Sequence, residues 1–145
     1  MRTDQPTSSH ISLFTGAGGL DLGLEEAGFV TRVCVEVDRD CQSTLERNRR
    51  FRGDQNFTLL GDLNSTPPSA ILAAAGLRPY EATLISGGPP CQSYSTAGKR
   101  GSINDPRGQL FFKFADVIEE AKPRFFIMKN YGAYCPRRFY TGRLN

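Results

Sequence analysis

Apolar residues along the chain fall into short, nearly continuous runs separated by amphipathic stretches. Ile11-Ser12-Leu13-Phe14 is the first run, ended by Gly16-Ala17-Gly18-Gly19. Leu20, Leu24 and Ala27 then recur at helical spacing, with Gly28 as a C-terminal stop. Thr31 to Glu36, rich in β-branched residues, predicts a second strand, and a charged helix follows from about Asp38 to Arg50. Phe57–Leu60 predicts a third strand, and Pro67-Pro68 opens a short alanine-rich helix stopped by Gly76. Ala82–Ile85 is a fourth strand, running into Gly87-Gly88-Pro89-Pro90-Cys91. Residues 86 to about 107 read as a long loop, and a loop of that length usually serves function. Leu110, Phe114, Val117 or Ile118, and Ala121 give one helix face ending before Pro123, and Phe125–Met128 is a fifth strand.

Strands alternating with helices, each strand apolar on both faces, predict an α/β fold. Its core is a Rossmann-like parallel sheet covered by helices on both sides, ending after about five strands. The expected organisation is a flexible tail over 1–9, a partial catalytic domain over 10–130 and an irregular tail over 131–145. Ligands on such sheets bind outside the carboxyl ends of the strands. The glycine cluster, Glu36, Asp62 and the Pro-Pro-Cys segment each follow a strand, so they should converge on one edge.

Composition narrows the class only slightly. With 145 residues, 39% hydrophobic and 23% charged, the chain is an ordinary globular domain. A net charge of +3 permits a polyanionic partner without demanding one. The four cysteines form no C-x-x-C pair, and the single histidine, His10, cannot complete a Cys/His metal set, so no metal is expected. No signal-peptide core or membrane-length apolar run occurs, and the reading is a reduced, soluble, cytoplasmic protein.

The loop Phe14-Thr15-Gly16-Ala17-Gly18-Gly19 lies where nucleotide-like ligands bind, although a simple tight turn has the same composition. A dinucleotide fingerprint would need glycine at position 21, where the chain has Asp21. An aspartate there opposes a pyrophosphate and suits S-adenosylmethionine, which has no phosphate and carries a sulfonium cation. Asp21 therefore disfavours a nicotinamide-dependent oxidoreductase. Glu36 stands twenty positions after Gly16, the offset of about 20 residues expected of a ribose-binding acid rather than a surface carboxylate. Asp62 serves equally as a turn cap or as an acceptor for an adenine amine. Cys91, at a strand end after stiff prolines and flexible glycines, is a candidate nucleophile near Lys99, Arg100 and Arg107. Cys34, within a strand, reads as core.

Several blocks resemble the cytosine-5 DNA methyltransferases in order and spacing. They are Phe14–Leu22, Gly61-Asp62-Leu63, Pro90-Cys91-Gln92 and Asp105-Pro106-Arg107-Gly108-Gln109-Leu110-Phe111-Phe112. The resemblance covers nearly all of 11–130. It implies that Cys91 adds to C6 of a cytosine flipped from its stack, so that C5 takes a methyl group from S-adenosylmethionine. It also implies a modification or restriction–modification role, with DNA as partner. The implied cofactor set is Phe14, Gly16, Gly18, Gly19, Glu36, Val37, Asp62, Leu63, Pro90 and Leu110, with Val37 against the adenine. Gln92, Ser93, Ser95, Lys99 and Arg100 would lie near nucleic acid. Arg107 would be a cationic partner of the site, or else a solvated charge at a helix start.

Two departures follow. The family's Glu-Asn-Val triplet, whose glutamate holds the cytosine, is replaced by Lys129-Asn130-Tyr131. The family's later strands, target-recognition domain and a late cofactor-pocket segment have no counterpart here, so a second chain supplying them is one expectation. An inactive relative, half of a split enzyme and an RNA cytosine-5 methyltransferase stand as alternatives. An amino-group methyltransferase would carry an aromatic residue at position 91.

Overall fold

The computed structural model describes residues 8–51, 56–90, 106–132 and 135–143. The chain runs β1 (Ser8–Leu13), α1 (Gly19–Glu26), β2 (Phe29–Val35), α2 (Arg39–Phe51) and β3 (Thr58–Leu60). It continues through α3 (Pro68–Ala75), β4 (Leu84–Gly87), α4 (Pro106–Ala121), β5 (Phe125–Gly132) and β6 (Cys135–Arg143). Their spatial order is β3-β2-β1-β4-β5-β6, one six-stranded sheet. The first five strands are mutually parallel and β6 is antiparallel to β5. The expected α/β sheet is therefore present. Two expectations at the ends are corrected: Ser8 and Ser9 belong to β1, and 135–143 is a strand rather than an irregular tail.

Local stops operate as the sequence suggests. Pro68 opens α3, and Gly76 ends it in the left-handed region at φ 64°. Gly28, at φ 93°, turns the chain from α1 into β2.

Side-chain alternation sends the strands' residues to two faces. Ile11, Leu13, Val33, Val35 and Ile85 pack with Ile71, Leu72 and Ala75 of α3 and with Phe114, Val117 and Ala121 of α4. A smaller cluster on the other face joins Cys34 to Leu45 of α2 and to Phe57. Cys34 is core, as expected, at 2% exposure.

Strand register aligns the carboxyl ends. Leu60, Val35, Leu13, Gly87 and Met128 pair in one row across five strands. The next residues, Gly61, Glu36, Phe14, Gly88 and Lys129, therefore emerge along a single edge. The chain's winding reverses between β1 and β4, the switch point at which α/β sheets open a crevice. Among the described residues no helix is long and apolar enough to cross a membrane.

Candidate active site

The loop after β1 is built by backbone strain and short polar ties. Phe14 sits at φ 54°, Gly16 at φ 60° and Gly18 at φ 85°. Gly18 precedes α1 in the left-handed region, and a Cβ there would come within 2.8 Å of Leu45 Cδ2, so a side chain would be strained and would have to displace Leu45 where α1 meets α2. The Thr15 N–H donates to the Val35 carbonyl at 3.2 Å, and its hydroxyl donates to Ser12 Oγ at 3.0 Å. These ties hold the loop over the ends of β1 and β2.

Two clefts open along the edge. The first, of about 430 Å³, is lined by Phe14, Glu36, Val37, Asp62, Leu63, Pro90 and Leu110, together with Asn64 and Gly88. Seven of the ten residues expected to contact a cofactor thus share one cavity. Glu36 is its most constrained acid. Its Oε2 accepts the Gly16 N–H at 2.6 Å and its Oε1 accepts the Asp38 N–H at 2.8 Å. Val37 leaves 66% of its surface exposed, an apolar side chain turned toward the cleft rather than the core. Asp62 caps its own turn, with Oδ1 accepting the Asn64 N–H at 2.9 Å, and lines the cleft as well.

The second cleft, also about 430 Å³, lies under the glycine loop. Gly16, Ala17, Gly19, Asp21, Ser86, Gly87, Gly88 and Lys129 line it. Phe14 and Gly88 belong to both clefts, so the two are contiguous at the switch point. Gly18 lines neither and serves the α1–α2 packing instead.

Behind the second cleft is a buried polar group that the hydrophobic pattern did not reveal. His10 is fully buried, with Nδ1 3.1 Å from Thr31 Oγ1 and Nε2 2.8 Å from Ser86 Oγ. Thr31 pairs with His10 on the neighbouring strand, and the register slips just after, placing Ile11 opposite Val33. Burial lowers the His10 pKa to about 4, so the ring is neutral at neutral pH. Asp21 is 5% exposed, and burial raises its carboxyl to about 6. From the sequence, Asp21 argues against a pyrophosphate and for a cationic cofactor, but nothing there marks it as buried. Its burial depends on three strands meeting and has no local signature.

Cys91, Gln92, Ser93, Ser95, Lys99 and Arg100 lie outside the described residues, and of Arg107 only the backbone, in the first turn of α4, is described. Among the described residues no group of three or more metal-ligating side chains occurs. Burial pushes the Cys34 thiol far up, and hydrogen bonding to Asp38 raises Cys41, so neither is disposed to form a thiolate.

Strand order and a switch-point cleft with acidic strand ends define a Rossmann-like domain. Residues 8–134 match the model of the C-5 cytosine-specific DNA methylases, and the chain belongs to that family. It is 48% identical over 120 residues to the Type II methyltransferase M.AquIA of Picosynechococcus, covering 83% of this chain and 47% of that one. It is 37% identical over 134 residues to M.NgoPII of Neisseria gonorrhoeae, covering 90% and 36%. A crystal structure assigned as a DNA modification methyltransferase of an E. coli prophage superposes with TM-score 0.69 at 29% identity, over 88% of this chain and 33% of that one. The chain spans less than half the length of each of these relatives.

Proposed function

We propose that this chain is the S-adenosylmethionine-binding, catalytic-cysteine portion of a DNA cytosine-5 methyltransferase of a modification or restriction–modification system. The observation that carries this reading is the first cleft. An anchored carboxylate, a second acid and exposed apolar walls meet there at the switch point, beside the strand end that leads into Pro90-Cys91. The donor set suits the cofactor. Glu36 and Asp62 are acceptors for ribose hydroxyls and an adenine amine, Val37 and Leu110 are apolar surfaces for a base, and two acids facing the cleft disfavour a phosphate.

When bound, S-adenosylmethionine supplies an electrophilic methyl group. The chain's own residues do the rest. Cys91, as thiolate, would form a bond to C6 of a flipped cytosine, and the electron pair displaced to C5 would take the methyl as its bond to sulfur breaks, leaving S-adenosylhomocysteine as a neutral thioether. Loss of the C5 proton to a base and expulsion of Cys91 then restore the ring and the thiolate. Gln92, Ser93, Ser95, Lys99 and Arg100 hold the DNA around this thiol, with Arg107 as a cationic partner of the site.

The test is intact mass after incubation with cofactor and 5-fluorocytosine DNA, with and without a chain supplying the remaining family segments. The fluorine cannot leave as a proton does, so the adduct is trapped. A covalent complex in the wild type or in Lys129→Glu that is lost on Cys91→Ser supports the reading, and its absence from both proteins in both conditions overturns it.

One observation favours a second reading, a relative that binds cofactor without turnover: Lys129 holds the place of the family's glutamate. Cofactor binding without any methyl transfer, even after complementation, would select it.

A further inference from the structure

Beyond their last paired residues, β2 and β3 part. The pairing of Val35 with Leu60 carries on for one bond, from the Glu36 N–H to the Leu60 carbonyl at 3.0 Å. Bonds in a parallel ladder are evenly spaced, so the next would run from the Asp62 N–H to the Glu36 carbonyl. No such bond forms among the described residues. The Glu36 carbonyl instead accepts from Gln42 Nε2 at 2.6 Å, a side chain in the first turn of α2.

We infer that Gln42 is a positioning residue of the first cleft: its amide takes the place of the Asp62 N–H at the Glu36 carbonyl and so ends the β2–β3 ladder where the cleft opens. This rests on the adenosine reading of that cleft, whose walls include Glu36 and Val37 after β2 and Gly61, Asp62 and Leu63 after β3. A carbonyl only accepts, so it is the nitrogen of the Gln42 amide that faces it. Were the ladder to run on, Asp62 would be drawn against Glu36 and the space for a base between them would narrow. That space is open, since a Cβ on Gly61 would meet nothing within 4 Å.

Gln42 is itself firmly placed. Its N–H donates to the Asp38 carbonyl at 2.9 Å, and Asp38 Oδ1 caps the same turn by accepting the Cys41 N–H at 2.8 Å. The Asp38 N–H in turn donates to Glu36 Oε1 at 2.8 Å. The start of α2 therefore holds Glu36 at two points, the carboxylate through Asp38 and the main chain through Gln42. The first orients the acid, and the second sets the separation of the strand ends. Gln42 lines neither cleft, so it acts through those ends rather than by touching a ligand.

Calorimetry and amide hydrogen exchange followed by NMR test this on three proteins. They are the wild-type chain, Gln42→Leu, which keeps the bulk without the donor, and Gln42→Lys, which keeps a donor. Without ligand, the Asp62 amide should exchange more slowly in Gln42→Leu, as its N–H takes up the Glu36 carbonyl, and at the wild-type rate in Gln42→Lys. S-adenosylmethionine and adenosine should both bind about tenfold more weakly to Gln42→Leu, the worth of one displaced hydrogen bond, and at near wild-type strength to Gln42→Lys. A merely structural role would loosen the strand ends and speed exchange at Asp62, so faster or unchanged exchange there overturns the inference. A loss confined to S-adenosylmethionine, unchanged affinity in Gln42→Leu, or equal losses in the two variants also overturn it. If the wild type binds neither ligand, the adenosine reading falls, while exchange at Asp62 still decides whether Gln42 parts the strands.

Discussion

The Gly16 N–H donates to Glu36 Oε2 at 2.6 Å, joining the loop after β1 to the acid after β2. The other oxygen of Glu36 accepts from Asp38 N–H, so one carboxylate organises both chain segments at the cleft mouth. Each oxygen keeps a lone pair for a ribose hydroxyl. Glu36→Ala should therefore cost roughly 1–3 kcal/mol in S-adenosylmethionine binding by calorimetry. Glu36→Gln should be nearly as damaging, because its amide nitrogen would face one of the two backbone N–H donors. Faster hydrogen exchange at Gly16 in both variants would report the lost tie. Unchanged affinity in Glu36→Ala would sink the ribose assignment.

Gly87 ends β4 in close contact with β1 and α4. A Cβ there would lie 2.5 Å from the Leu13 carbonyl oxygen and 2.8 Å from Phe114 Cε2. Backbone on one side and a core ring on the other leave no cheap movement. Gly87→Ala should destabilise by about 3 kcal/mol in urea unfolding, the upper part of the overpacking range. Gly16 differs, since nothing lies within 4 Å of its Cβ position and only its φ of 60° opposes a side chain. Gly16→Ala should cost about 1–2 kcal/mol. Equal losses at the two sites would contradict the packing argument.

The parallel sheet was legible because its strands are short apolar runs, several of them stopped by an acid or a glycine, as at Glu36, Gly61 and Gly87. Glu36 was legible by its offset from Gly16. The last strand was not. Cys135-Pro136-Arg137-Arg138 reads against a strand, yet proline and charge are tolerated at a sheet edge, where β6 lies. Pairing with β6 also carries β5 on to Gly132, beyond the expected end at Met128. The buried polar group was hidden for another reason. His10, Ser12, Thr31 and Ser86 lie on three strands and Asp21 on a helix, and no period within one element marks them.

His10 and Asp21 should have opposite effects on stability over one pH window. Asp21 binds its proton more tightly folded, at about 6, than unfolded, at 3.8, so its contribution is lost as pH rises from about 4 to 6. His10 binds its proton less tightly folded, at about 4, than unfolded, at 6.5, so stability is gained as pH rises through that range. The two nearly cancel in the wild type. Asp21→Asn should uncover the His10 gain, its stability relative to wild type growing by roughly 3 kcal/mol between pH 4 and 6.5. His10→Asn should uncover the opposite slope. Urea unfolding across the window measures both, and parallel curves for all three proteins would refute the assignment.

Lys129 follows Met128 in the row of strand ends and lines the second cleft beside Gly88, whose Cβ position is 3.3 Å from the Lys129 carbonyl oxygen. In the proposed reaction, attack at C6 builds electron density on the cytosine N3. A glutamate at this place shares a proton with N3 and accepts a bond from the exocyclic amine. Lysine only donates, so it can meet N3 but sets a cation against the amine's hydrogens. Loss of a positioned acid–base group costs roughly 10²–10⁴-fold in rate. The chain should therefore show little methyl transfer even when the remaining family segments are supplied as a second polypeptide. Lys129→Glu should raise the rate at least about tenfold, within the same range. Its effect on S-adenosylmethionine affinity, measured separately, keeps a change in cofactor binding apart from a change in chemistry. Full activity of the complemented wild type, or no gain in Lys129→Glu at saturating cofactor, would show that position 129 does not meet the cytosine.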